Sequence, residues 1–186
     1  VVDAFRRHLP ECVVFVYDNG STDRTVEVAR SHGAIVRSEP LKGKGNVVRR
    51  MFADVEADVY VMVDGDSTYD AAAAPALIQK LLAESLDMVT GTRVEQGEAA
   101  YRRGHRFGNW LLTTLVAKIF GQRSSDMLSG YRVMSRRFVK TFPALSEGFE
   151  IETELTVHAL QLRLPIADVP TSYADRPRGS ASKLST

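Results

Sequence analysis

Short β-branched runs alternate with helix-period patterns along most of this chain, and that alternation confines it to an α/β layer with a largely parallel sheet. Apolar runs over residues 12–17, 34–37, 59–63, 87–90 and 166–173 read as strands. Helical spacing covers residues 23–32, 46–57, 74–85 and 149–163, after a helix remnant that ends near Leu9. A long helix is predicted over residues 103–121, with Phe107, Leu111, Leu115 and Ile119 on one stripe and Leu112, Val116 and Phe120 beside it. That face is wide enough for burial on two sides, or for contact with a membrane or a second subunit, so a homo-oligomer is permitted. Residues 124–132 read as a turn-rich segment before a short helix from Ser135, and residues 174–186 read as a loop. The first strand already follows a helix. The sheet therefore reads as lacking its opening strand, and the chain as a single domain incomplete at both ends.

At 186 residues the chain suits one domain with a sizeable core; 44% hydrophobic and 25% charged residues exclude a disordered chain and a polytopic membrane protein. The one cysteine, Cys12, lies in the apolar run Cys12-Val13-Val14-Phe15-Val16. It rules out a disulfide scaffold or thiolate cluster and reads as a small buried residue in a reducing compartment. A net charge of +1 argues against nucleic acid as a partner, yet the charge is uneven. Residues 1–92 hold 10 Lys or Arg against 14 Asp or Glu, residues 93–140 hold 10 against 3, and residues 141–186 hold 4 against 6. The basic middle block suits an anionic ligand or a membrane surface, and equally a solvated helix face. No signal peptide is visible and the apolar stretch over residues 110–120 is too short to cross a bilayer, so the chain reads as soluble.

Chemistry-bearing clusters fall at the carboxyl ends of the strands, where open parallel sheets bind ligands. Asp18, in Tyr17-Asp18-Asn19-Gly20-Ser21-Thr22-Asp23, is placed to accept hydrogen bonds from a nucleobase or ribose. An Asx turn with a helix cap at Thr22 or Asp23 explains much of the same pattern. In Lys42-Gly43-Lys44-Gly45 the glycines let the backbone approach a ligand, and lysines near a helix N-terminus favour a phosphate. The spacing is not that of a P-loop, and a plain surface turn would look the same. The strongest local signal is Val59-Tyr60-Val61-Met62-Val63-Asp64-Gly65-Asp66. Two carboxylates one residue apart beyond a buried strand converge at little conformational cost, and such hard oxygen ligands suit Mg²⁺ or Mn²⁺, which also bridges a diphosphate. His158 shares a helical stripe with Ile151, Leu155 and Leu162 and reads as a core or edge histidine. Glu150, Glu152 and Glu154 fall in the first turns of a helix, where the dipole favours acids.

The motifs continue with Gly91-Thr92-Arg93, Arg106-Phe107-Gly108-Asn109, Asp126-Met127-Leu128-Ser129-Gly130-Tyr131-Arg132 and Arg176-Pro177-Arg178-Gly179-Ser180-Ala181-Ser182-Lys183-Leu184. In this order, over nearly the whole chain, they resemble a family 2 glycosyltransferase of the polyprenyl-phosphate sugar transferase type, such as the dolichol-phosphate mannosyltransferases. The resemblance implies the GT-A fold, a Rossmann-like, mostly parallel central sheet flanked by helices. It implies inverting transfer from a nucleotide-diphospho-sugar donor to a polyprenyl phosphate or another cell-envelope acceptor, in a cytoplasmic protein peripheral at the inner membrane. Asp18, Lys44, Asp64, Asp66 and Arg93 would bind the donor, with Asp64 and Asp66 as the DxD pair holding Mg²⁺ or Mn²⁺. Asp126 would be the base or orient the acceptor. Arg132, Arg176, Ser182 and Lys183 would bind the donor diphosphate or a phosphate-bearing acceptor, and their basicity suits the charge that develops on a leaving diphosphate.

Thr68 stands where some such relatives carry Gln, and the opening Pro-Tyr-Asn-Glu type of signature is absent. Asp64-Gly65-Asp66-Ser67-Thr68 also matches the nucleophile loop of haloacid-dehalogenase-type phosphatases, with Asp64 as nucleophile. A third reading is a nucleotide-sugar-binding module that keeps the fold without activity.

Overall fold

The computed structural model describes residues 1–95, Thr113, Val116, Lys118 and residues 126–174. Helix α1 (Val2–His8) is followed by β1 (Phe15–Asp18), α2 (Thr25–Ser31), β2 (Ile35–Ser38), α3 (Lys44–Asp54) and β3 (Val59–Met62). A 3-10 turn (Ala71–Ala73) runs into α4 (Ala74–Ala83), and β4 (Met88–Glu95) follows. After these come β5 (Arg132–Ser135), α5 (Arg136–Thr141), α6 (Ile151–Gln161) and β6 (Ile166–Tyr173). Thr113, Val116 and Lys118 are helical, inside the long helix that the sequence predicts; its apolar stripe otherwise lies outside the described residues.

The strands form two sheets, β1–β2 and β3–β5–β4–β6. β1 pairs with β2 in parallel, and β4 pairs with β6 in parallel along the whole of both strands, from Met88 opposite Ile166 to Glu95 opposite Tyr173. β5 is antiparallel to both of its neighbours. Among the described residues no strand joins β1 to β3. These parallel pairs, flanked by helices, are the α/β arrangement that the alternation of runs requires.

Side chains alternate across the larger sheet, as the pleat dictates. Tyr60, Met62, Met88 and Met134 pack on one face with Val48 and Phe52 of α3, Phe138 of α5, and Ile151, Leu155 and Ala159 of α6. Val59, Val61, Val89 and Val133 face the other way, onto Phe5 of α1, Leu77 and Leu81 of α4, Tyr69 and Tyr131. Both faces are thus covered, which is why these strands read as continuous apolar runs.

β5 is the element that the sequence reading missed, since it lies where the turn-rich segment was expected to pass straight into a helix. It has four residues and opens on an arginine, so neither length nor alternation marks it. Ser135 ends the strand and caps α5 in the same position, its hydroxyl accepting from Phe138 N at 3.1 Å. β1 begins at Phe15 rather than Cys12, leaving Val13 66% exposed and Cys12 only half-buried, not in the core as expected. His158 stands edge-on to Phe138 and Phe142, and burial lowers its pKa, in keeping with a histidine at the core's edge.

Candidate active site

Asp18 ends β1, and its carboxylate accepts hydrogen bonds from Gly20 N and Ser21 N, each at 3.1 Å. Hydrogen bonding from Ser21 first, then from backbone N–H groups, holds it below the ordinary carboxylate range. This is the Asx turn that the sequence allowed. Asn19, which the sequence reading passed over, ties the turn to the next loop. Its Nδ2 donates to Glu39 O and Leu41 O, both at 2.7 Å, and its Oδ1 accepts from Gly43 N at 2.9 Å.

Gly45 serves a different partner from the ligand expected of it. Its N–H donates to Glu147 O at 2.9 Å, and Asn46 N reaches the same oxygen at 3.4 Å, so a carbonyl of this chain caps the start of α3. A Cβ at Gly45 would overlap Ser146 O, so only glycine allows the approach. Glu154, on α6, holds the far side of that loop by accepting from Leu145 N and Ser146 N, both at 2.8 Å. The loop over residues 144–147 therefore joins the starts of α3 and α6.

This junction sets Lys44 between two acids. Its Nζ lies 2.5 Å from Asp64 Oδ1, just past β3, and 2.5 Å from Glu152 Oε1 on α6. Burial pulls the ammonium pKa down, but attraction to Asp64 and Glu152 outweighs it and the net shift is upward. Glu152 is 5% exposed, and its role was hidden because a helix dipole already accounts for acids at that place. Asp64 is also confined by Gly130, where a Cβ would overlap Asp64 Oδ2. Asp66 turns the loop, its Oδ1 accepting from Thr68 Oγ1 at 2.6 Å and Thr68 N at 3.2 Å. A cavity of about 140 Å³ opens beside Asp64, walled by Phe5, Val63, Ser67 and Tyr69.

On β4, Arg93 meets Asp126 through two parallel bonds, Nε to Oδ2 and Nη2 to Oδ1, both at 2.7 Å. Its backbone N–H adds a third, to Oδ2 at 3.2 Å. The guanidinium lies 5.6 Å from the centre of the Tyr173 ring, which is packed edge-on against Tyr69. Tyr69 takes a hydrogen bond from Gly130 N at 2.8 Å, and burial pushes its hydroxyl up to about 12. Tyr69, Tyr173, Gly130 and Glu152 are the residues of this region to which the sequence reading gave no site role of their own. Gly130 alone carried a signal, inside Ser129-Gly130-Tyr131-Arg132.

Arg132 must be reassigned. It is wholly buried, and its N–H groups reach Ser129 O, Met88 Sδ, Thr156 Oγ1, Met127 O and Glu152 O at 2.9 to 3.2 Å. An arginine with its donors spent inside the protein braces the loop over residues 127–131 against α6; it does not reach a phosphate. Arg176, Ser182 and Lys183 lie outside the described residues.

The donor set at Asp64 and Asp66 suits a divalent cation, since both offer hard carboxylate oxygens just beyond a strand end. Among the described residues no group of three or more His, Cys, Asp or Glu side chains could hold a metal by itself.

The α/β fold that carries these carboxylates at a strand end is the GT-A fold of the glycosyltransferases of known structure that it superposes on. The model of the family described as glycosyl transferase family 2 matches residues 1–142, and the chain belongs to that family. Glycosyltransferase AglJ of Haloferax volcanii is 39% identical over 173 residues, which are 92% of this chain and 57% of that protein. The dolichyl-phosphate hexose transferase of the same organism is 29% identical over 158 residues, 85% of this chain and 68% of that one. Among solved structures, glucosyl-3-phosphoglycerate synthase from Mycobacterium tuberculosis, in complex with Mn²⁺, uridine-diphosphate-glucose and phosphoglyceric acid, superposes with a TM-score of 0.70 at 26% identity. That match covers 90% of this chain and 61% of the other. The chain thus spans a little more than half of AglJ's length. Membership of this family sets the phosphatase reading of Asp64 aside.

Proposed function

We propose that this chain carries an inverting glycosyltransferase site that moves a sugar from a nucleotide-diphospho-sugar to a polyprenyl phosphate or a related cell-envelope acceptor, at the cytoplasmic face of the membrane. The observation that carries the reading is the pairing of Lys44 with Asp64, one residue from Asp66, at the carboxyl end of β3. Asp64 and Asp66 would hold Mg²⁺ or Mn²⁺, whose charge offsets that of the departing diphosphate. Asp18, at the end of β1, faces the nucleoside, and Lys44 adds a second positive charge near the phosphates.

The Arg93–Asp126 pair bears on the acceptor. Both carboxylate oxygens of Asp126 are engaged by Arg93, which suits orientation of a cation better than removal of a proton. A phosphate acceptor arrives already ionised and needs no base. Its oxygen attacks the anomeric carbon from the face opposite the diphosphate, the glycosidic C–O bond to the diphosphate breaks, and the nucleoside diphosphate leaves. The name of the dolichyl-phosphate hexose transferase supports this acceptor class, and the Mn²⁺ and uridine-diphosphate-glucose of the solved neighbour support the donor class. Among the described residues no helix is long and apolar enough to cross a membrane, so the reading has the acceptor headgroup brought to a surface site.

Calorimetric titration of UDP and GDP, with and without Mn²⁺, tests the donor site. Metal-dependent binding of one nucleotide, lost in Asp66→Ala, is the expected result. Absence of binding to either would overturn the donor-site reading.

A further inference from the structure

We propose that Lys44 is a resident cation neutralising Asp64 while no metal is bound, and that Glu152 is the positioning residue that retains Lys44 when a divalent ion takes Asp64 over. The proposal rests on the donor-site reading above and concerns how that site changes hands.

Lys44 Nζ bonds Asp64 Oδ1 and Glu152 Oε1 at the same distance, 2.5 Å. The two acids differ in every other respect. Asp64 is on the loop after β3 with its side chain 34% exposed, whereas the Glu152 side chain is 7% exposed on α6. Glu152 Oε2 is buried and has no hydrogen-bond partner among the described residues. A carboxylate buried in this way is held to its counter-ion, Lys44, and not to solvent. The surrounding backbone is also tightly held: Glu147 O caps α3 beside Lys44, and Glu154 fixes the same loop from α6. The Lys44–Glu152 contact is therefore the fixed end of the triad and Asp64 the exchangeable one.

A divalent ion at Asp64 and an ammonium on the same carboxylate repel each other. When the ion arrives, Lys44 must leave Asp64. Tethered at Glu152, it stays in the site, where the incoming diphosphate supplies a new anion. Without Glu152 the lysine would have Asp64 alone as its partner and would compete with the ion more strongly.

The test titrates Mn²⁺, without nucleotide, into the full chain and into Lys44→Gln, Glu152→Gln and the double variant, with thermal unfolding as a check of folding. Lys44→Gln is expected to bind Mn²⁺ about tenfold more tightly, and Glu152→Gln several-fold more weakly. Glu152→Asp, which keeps the charge, recovers affinity toward the unsubstituted value. The double variant leaves no uncompensated buried charge and lacks the Glu152 carboxylate as an alternative metal ligand. It is expected to bind as tightly as Lys44→Gln, and so decides the role of Lys44 if that single variant does not fold, whereas unchanged affinity in a folded Glu152→Gln would overturn the role of Glu152. Mn²⁺ affinity unchanged or lowered in the double variant would overturn the proposal and leave the pair a structural contact. Failure of the unsubstituted chain itself to bind Mn²⁺ would instead overturn the metal reading of Asp64 and Asp66, and this proposal with it.

Discussion

The Arg93 guanidinium and the Asp126 carboxylate meet fork to fork, each side chain largely buried, with Arg93 Nε and Nη2 each 2.7 Å from one oxygen of Asp126. The pair joins β4 to the loop that precedes β5, and the Tyr173 ring lies against the guanidinium. Each partner holds the other in one orientation, so the two act as a unit.

Asp126→Asn removes the charge and one of the parallel acceptors. Transfer is expected to fall about 100-fold or more while nucleotide binding stays within about threefold, because the loss concerns orientation at the reacting end. Arg93→Lys, which keeps charge without the fork, should fall by a similar factor. Single-turnover assays beside calorimetry of the nucleotide separate the two effects. Full turnover in Asp126→Asn would remove the pair from the mechanism.

Replacing Arg132 by Met leaves the carbonyls of Ser129, Met127 and Glu152 without their buried donor. A loss of about 3–5 kcal/mol in urea unfolding is expected, the scale of a broken buried polar network. An unchanged midpoint with a raised KM for the acceptor would instead return Arg132 to phosphate binding.

Gly45→Ala drives a methyl group into Ser146 O, a backbone atom that cannot turn away. About 2 kcal/mol of destabilisation is expected from the overpacking, with weaker nucleotide binding as Lys44 shifts. Chemical denaturation and nucleotide titration of the same sample read both.

Asp87 is 2% exposed and accepts from Ser135 Oγ at 2.7 Å and from Arg137 Nε at 2.9 Å. Burial raises its pKa, but the bonds from Arg137 and Ser135 outweigh it and the net shift is downward. Its folded pKa lies below the unfolded value of about 3.9, so its contribution is complete above that value and is lost as pH falls through the folded one. Asp87→Asn should be less stable than the unsubstituted chain at pH 7, with the gap closing below about pH 4. Urea midpoints measured from pH 3 to pH 7 check the sign.

Much of the molecule was legible because local chemistry and tertiary structure agree. The strand Val59–Met62 is apolar on both faces because both faces are covered, and Asp64 and Asp66 follow it where the chain leaves the sheet. The last strand, Ile166–Tyr173, matched its expected bounds. β5 escaped because four residues carry no period. Its place between β3 and β4 comes from non-local pairing.

For the site, the sequence by itself determined which residue types stand at the strand ends, since the order of residues puts the acids directly after an apolar run. Only the tertiary structure decided their partners. Lys44 reaches Glu152 across 108 positions, and Arg93 reaches Asp126 across 33. An acid at a helix start or an arginine after a glycine looks the same in sequence whether it is solvated, buried or paired. The difference is the electrostatic cost of burial, which brings a charge and its counter-ion together in space without regard to their separation along the chain.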